Sequence, residues 1–157
     1  MRALNEVTWH CSATRIGVDI GVKEIDKMHS RRFRKQRKSG MYCGYHIIIR
    51  LDGTIEYGRL IEELGAHCKP NYGKIGCCYI GGLDENGKPC DTRTPEQIVA
   101  MHRVTEALSI VFPTITTVKG HRDHSPDLNQ NGTIEKFEWI KSCPCFDVQS
   151  EFKLYIK

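Results

Sequence analysis

The hydrophobic and polar positions change period several times along the chain, and the changes mark its elements. Val7-Thr8-Trp9-His10-Cys11 reads as a short strand ending in polar residues, followed by a loop through Gly17 and Gly21. From Val22 to about Arg37 the period becomes helical: Val22, Ile25, Met28, His29 and Phe33 form one apolar stripe, and Ser39-Gly40 ends it. The run Gly44–Ile49 leads through Asp52-Gly53 into Ile55–Arg59, a β-rich pair around an Asp-Gly turn, as in a hairpin. Residues 60–74 carry no clear period. Lys74–Ile80 is a continuous apolar run, which suits a buried central strand, and Gly81-Gly82 closes it.

The second half opens with a helix signature. Thr94 can cap, Pro95 fits the first turn, and Gln97 completes a capping box. Ile98, Met101, Val104, Leu108 and Val111 continue that helix to Pro113. Thr114–Lys119 is a β-branched strand delivering Gly120-His121, and Lys136–Ser142 reads as a short helix before Cys143. Strands alternating with two substantial helices predict an α/β fold, a mixed central sheet flanked by helices. At 157 residues the whole chain, 1–157, is expected to be a single domain.

Composition narrows the classes. No run approaches eighteen apolar residues, so no membrane span is predicted. The N-terminal stretch has no apolar signal region, which points to synthesis in the cytoplasm without a signal peptide. Without such a signal, most of the eight cysteines read as buried thiols, with one as a metal ligand, rather than as a disulfide framework. The net charge of +4 is concentrated in Arg31, Arg32, Arg34, Lys35, Arg37 and Lys38. This is read as a solvated helix face, with attraction to a polyanion such as a cell-envelope polymer as the functional alternative; with only Phe33 interleaved, nucleic acid is the weaker version of it.

Two metal signals lie one inside the other between Gly120 and Cys145. His10, His121 and Cys143 sit where strands or helices end, and two imidazoles with one thiolate make a catalytic zinc set with a fourth position open to water. With seven histidines in the chain, spacing alone does not single out this triad. Inside it, Asp127, Asn129, Asn131, Thr133, Glu135 and Glu138 occupy positions one, three, five, seven, nine and twelve of an EF-hand calcium loop, with Gly132 at six and Ile134 at eight. Ser125-Pro126 argues against an incoming helix, so only the exiting helix over 136–142 is expected.

Several blocks then occur in one order: His10-Cys11-Ser12-Ala13-Thr14, Gly44-Tyr45-His46 with Asp52-Gly53-Thr54, Gly65-Ala66-His67, Ile75-Gly76 with Tyr79-Ile80-Gly81-Gly82, Gly120-His121, and Lys141-Ser142-Cys143-Pro144-Cys145. Together they resemble the zinc-dependent N-acetylmuramoyl-L-alanine amidases of the phage T7 lysozyme and peptidoglycan recognition protein superfamily, over about residues 7–148. The resemblance implies that His10, His121 and Cys143 bind zinc. It implies that Tyr45 and Lys141 line the reacting centre, and that His67 contacts substrate. It implies hydrolysis of the amide between N-acetylmuramic acid and L-alanine in peptidoglycan, as in an endolysin. A monomer acting on the cell wall after holin-assisted release is the matching expectation; a cytoplasmic recycling amidase is the alternative setting. A non-catalytic peptidoglycan-binding or regulatory protein is the alternative function. The gap between His121 and Cys143 is longer than in the phage T7 enzyme, so the loop at 127–138 reads as an insertion, its calcium a structural cofactor that rigidifies the arm carrying Lys141 and Cys143. His46 is expected to be structural, His29 part of its helix's packed stripe, and Cys11 and Cys145 buried thiols. His102 and His124 receive no assignment.

Overall fold

The structure, a computed structural model, describes residues 3–153. Five strands form the central sheet: β1 (Glu6–Cys11), β3 (Ile47–Ile49), β4 (Ile55–Tyr57), β5 (Lys74–Tyr79) and β7 (Thr117–Gly120). Their order is β4-β3-β5-β1-β7. β3, β5, β1 and β7 run parallel, and β4 returns antiparallel along one edge through the Asp52-Gly53 turn. The sheet is therefore mixed, as the sequence predicts. A separate parallel pair, β2 (Thr14–Arg15) with β6 (Gly82–Leu83), was not anticipated; it forms just beyond the ends of β1 and β5.

The pleat sorts the sheet into two chemically different faces, because successive side chains point to opposite sides. On one face Val7, Trp9 and Cys11 of β1, Ile75, Cys77 and Tyr79 of β5, and Ile47 and Ile49 of β3 build the main core with Ala100, Met101, Val104 and Leu108. Those last four belong to α2 (Pro95–Val111), whose Thr94/Gln97 capping box forms as predicted. A third helix, α3 (Val148–Glu151), was not anticipated; Phe152, just after it, stacks on Trp9 with ring centroids 6.0 Å apart. The other face carries Glu6, Thr8 and His10 of β1 in line with Lys74, Gly76 and Cys78 of β5. Only its β3 side holds a small apolar cluster, Ile25, Cys43, Ile48 and Ile80, beneath α1 (Val22–His29).

Gln97 shows how α2 is fastened to the sheet. Its side chain is fully buried, and Nε2 donates to the carbonyls of Ile49 (3.2 Å) and Ile80 (2.9 Å), at the ends of β3 and β5. Replacing Gln97 with leucine removes the donor to Ile80, while the Ile49 carbonyl keeps the Ile80 amide at 2.9 Å. A loss of roughly 1–3 kcal/mol in urea unfolding is expected, and no measurable loss would show that water reaches the Ile80 carbonyl.

Two helix predictions need correction. α1 stops at His29 rather than near Arg37. The sequence after it is a cationic run with a single apolar residue, Phe33, so continuing the helix would stack like charges without burying a face. Instead the chain turns back onto α1: Asp26 Oδ1 accepts the amides of Tyr42 and Cys43 (2.6 and 2.7 Å), and His29 Nδ1 accepts that of Gly44 (2.9 Å). The basic residues therefore lie on an irregular segment rather than on a helix face. The predicted helix over 136–142 is only a 3-10 turn, Lys136–Glu138. Trp139 leaves it extended, and the Ile140 amide bonds Ser125 Oγ at 3.0 Å instead of a helical carbonyl.

Candidate active site and metal centre

The four parallel strands all end on the same side of the sheet, and the ends of β1 and β7 hold the site. His10 is the penultimate residue of β1, on the polar face, and is almost fully buried (1% exposed). β7 ends at Gly120, and His121 opens the 3-10 turn His121–His124 that follows. Asp123 Oδ2 caps that turn by accepting the Gly120 amide at 2.7 Å. Cys143 comes from the far end of the 125–142 arm and is held in place by its neighbours. The Arg122 amide donates to the Cys143 carbonyl (2.8 Å), and the Tyr79 hydroxyl donates to the Pro144 carbonyl (2.6 Å).

These placements bring together residues more than a hundred positions apart. One ligand-type atom from each of His10, His121 and Cys143 lies within 4.8 Å of the others, the one such His/Cys/Asp/Glu group among the described residues. His10 Nδ1 faces Cys143 Sγ at 3.8 Å, and the Cys11 amide donates to the same sulfur at 3.3 Å. Burial, reinforced by His67 for His10 and by Lys141 for His121, holds both imidazoles neutral near pH 7; the His121 pKa falls to about 4. Neutral imidazoles and a sulfur that accepts an amide hydrogen form a donor set suited to zinc.

The remaining candidates surround this group unevenly. Tyr45 is half-buried beside it, its ring 5.1 Å from that of His10, and burial pushes its phenol pKa well up, so it keeps its proton. Lys141 is exposed and lines a cavity of about 520 Å³ with His67, His121, His124 and Phe33. His67 thus lies on the wall of the cleft, but its Nδ1 is turned inward and sits 2.9 Å from His10 Nε2. None of Asp127, Asn129, Asn131, Thr133, Glu135 and Glu138 lines this cavity. His46 is structural as expected, bridging the Gly76 amide (2.9 Å) and the Glu63 carbonyl (3.0 Å). All eight cysteines are free thiols; Cys11 is buried and Cys145 half-buried.

Sequence reading missed a charged network under the cavity floor. Glu6 and Lys74, neighbours across β1 and β5, are each more than nine-tenths buried. Glu6 Oε1 accepts from Thr8 Oγ1 (2.6 Å) and pairs with His124 Nε2 at 2.9 Å. Burial opposes the charge on His124, but its bonds to Cys68 and Glu6 prevail and raise its pKa to about 9. The signal was present in β1: Glu6 and Thr8 share the parity of His10 and so its face. The linkage has a definite sign. A folded pKa above the unfolded value of 6.5 adds stability that is complete below pH 6.5 and lost as pH rises through about 9. Glu6, whose pKa is lowered, adds stability that is lost as pH falls below 4.5. The melting-temperature gap between the wild type and His124→Asn is therefore expected to narrow from pH 6.5 to 9. A gap constant across that window would remove the charge from the account.

No protein-family model matches the chain. The endolysin of Enterobacteria phage K11 is 36% identical over 141 residues, 89% of this chain and 80% of that protein. The endolysin of Escherichia phage T7 is 31% identical over 141 residues, with the same coverage of 89% and 80%. Among solved structures, the N-acetylmuramoyl-L-alanine amidase LysC from Clostridium intestinale shares the fold, with a TM-score of 0.70 at 24% identity over 99% of this chain and 88% of its own. With relatives this similar over most of both lengths, the chain belongs to the T7-type family of phage endolysins.

Proposed function

We propose that this endolysin-family chain is a zinc-dependent N-acetylmuramoyl-L-alanine amidase, cleaving the bond between N-acetylmuramic acid and L-alanine in peptidoglycan. The observation that carries the reading is the convergence of His10, His121 and Cys143, with Tyr45 beside His10, at a cleft whose wall carries His121 and Lys141. His10, His121 and Cys143 would hold the metal. When bound there, zinc supplies a Lewis acid for the scissile carbonyl and a water acidified to a pKa of about 7. The chain's own residues do the rest. Tyr45, protonated and half-desolvated, donates a hydrogen bond to the oxygen on which charge develops. Lys141, on the open side of the cleft, draws the anionic substrate in and can share in stabilising that oxygen or in protonating the leaving amine. A non-catalytic peptidoglycan-binding role is disfavoured because the ligand set, the phenol beside it and the Lys141 ammonium on the adjoining cleft wall are all present.

The test pairs zinc content of the purified protein with release of free N-terminal alanine from peptidoglycan. Stoichiometric zinc and new alanine amino termini are expected. Zinc-free protein that is fully active would overturn the metal reading, and wall lysis without new alanine termini would overturn the bond assignment.

We further propose that the 127–138 loop binds calcium as a structural clamp. Its hydrogen-bond frame supports this: the Gly132 amide bonds Asp127 Oδ2 (2.7 Å), the Asn131 amide bonds Asp127 Oδ1 (3.2 Å), and Gly132 takes a positive φ of 82° at position six. The loop is also tied to the zinc arm, through Ser125 to Ile140 and through the Arg122 guanidinium 4.1 Å over the Trp139 ring. Glu138 at position twelve accepts amides from Leu128, Asn129 and Glu135, so calcium binding would require its carboxylate to exchange those bonds for the ion. Calcium added to chelator-treated, zinc-loaded protein is expected to raise the melting temperature. No shift at millimolar calcium would sink the clamp.

A further inference from the structure

We propose that His67 is a positioning residue for the metal centre: its Nδ1 accepts the hydrogen on His10 Nε2 and so holds His10 in the tautomer whose Nδ1 is free to ligate. This rests on the metal reading above and concerns a residue outside the ligand group itself.

The argument begins with the two nitrogens of His10, which face different partners. Nδ1 lies 3.8 Å from Cys143 Sγ, on the ligand side, and Nε2 lies 2.9 Å from His67 Nδ1, on the other. A neutral imidazole carries one ring hydrogen, and a metal needs the nitrogen without it. A hydrogen on Nδ1 would point at Cys143 and block ligation. An acceptor at Nε2 keeps it on the far side. With Nδ1 committed to a metal, only one direction remains for the bond between the rings: His10 donates and His67 accepts. Partners of this kind orient metal-bound histidines and raise their basicity.

The local structure around His67 is built to hold that acceptor in place. The amides of His67 and Cys68 both donate to Asn71 Oδ1, at 2.8 and 3.0 Å, which pins the backbone of an otherwise irregular segment. The ring then lies across Gly65 and Gly76. A Cβ at either glycine would overlap it, so both positions leave space that the imidazole fills. Gly76 sits in β5 on the same face as His10, which places the cradle directly beside the ligand. His10 and His67 meet edge to face, with ring centroids 4.9 Å apart. Packing thus fixes the ring, and the ring's nitrogen fixes His10.

Two substitutions separate the acceptor from the packing. His67→Phe fills the cradle but has no acceptor, whereas His67→Asn packs less but can present Oδ1 near the place of Nδ1. Zinc affinity is measured by competition with a chromophoric chelator, alongside the visible absorption of the cobalt(II)-substituted protein. His67→Phe is expected to weaken zinc about 10–100-fold, the usual range for losing such a partner, and to alter the cobalt bands. His67→Asn is expected to stay within a few-fold of wild type. The proposal is overturned if His67→Phe binds zinc like wild type, or if His67→Asn loses as much as His67→Phe, since packing alone would then account for the residue. Should His67→Phe not fold, His67→Leu, which also lacks an acceptor, takes its place in the comparison. Wild-type protein that binds no zinc would instead strike down the metal reading and this inference with it.

Discussion

Replacing Cys143 with serine is expected to reduce peptidoglycan cleavage by on the order of 10³ or more, the scale of losing several kcal/mol of transition-state stabilisation. A serine hydroxyl stays protonated at neutral pH and is a poor zinc donor, so zinc content is expected to fall with activity. The fold should be spared. Serine is smaller than cysteine, Cys143 is only half-buried, and the contacts that hold its segment run through backbone atoms, from Arg122 to the Cys143 carbonyl and from Tyr79 to that of Pro144. The melting temperature of the metal-free proteins is therefore expected to differ little. Clearing of purified cell walls, zinc analysis and thermal unfolding on the same preparations provide the check. A serine variant that clears walls at the wild-type rate would refute the role given to Cys143.

Tyr45→Phe is expected to lower turnover about 10²- to 10³-fold, the usual cost of removing one oxyanion donor, while leaving zinc bound. The ring remains, so its contacts with His10 and His29, at centroid separations of 5.1 and 5.4 Å, are preserved. Only the hydroxyl is lost. Because burial keeps that phenol protonated, its contribution is a hydrogen bond given, and no alkaline limb below its raised pKa should be traceable to it. Kinetic separation matters here: a drop in kcat with little change in KM marks an interaction made mainly in the transition state. A rise in KM alone would move Tyr45 to substrate binding and leave Lys141 as the donor. A matching Lys141→Met variant then shows whether the ammonium acts on kcat or on capture of the anionic wall, the latter fading as salt rises.

How much of this was legible in the chain can be judged from particular residues. The Thr94-Pro95-Glu96-Gln97 start needs no distant partner to form, and it formed as read, because a capping box satisfies its own amides. The apolar run at Lys74–Tyr79 likewise declared a strand buried on both sides. Predictions failed where local pattern competed with tertiary bonds. Phe33 carried the apolar stripe past His29, yet Asp26 and His29 spend their acceptors on the returning segment 42–44, so the helix ends. Over 136–142 the helical pattern yielded to Ser125, which takes the Ile140 amide. The short pair β2–β6 and the helix at Val148–Glu151 were too brief to carry a period of their own.

By itself, the sequence determined the chemical kinds in this site: two strand-end histidines, a cysteine, a tyrosine and a lysine, in an order that resembles one family. It also determined which face each β1 residue would take, since alternation is a property of the strand alone. What only the tertiary structure decided is which atoms meet. Parallel pairing of β1 with β7 carries His121 to His10, and the amide of Arg122 holds Cys143 against both. The direction of each imidazole nitrogen, the burial that keeps it neutral, and the cradle that seats His67 arise from contacts between segments far apart in the chain. No local pattern encodes them, because they exist only once the segments have packed.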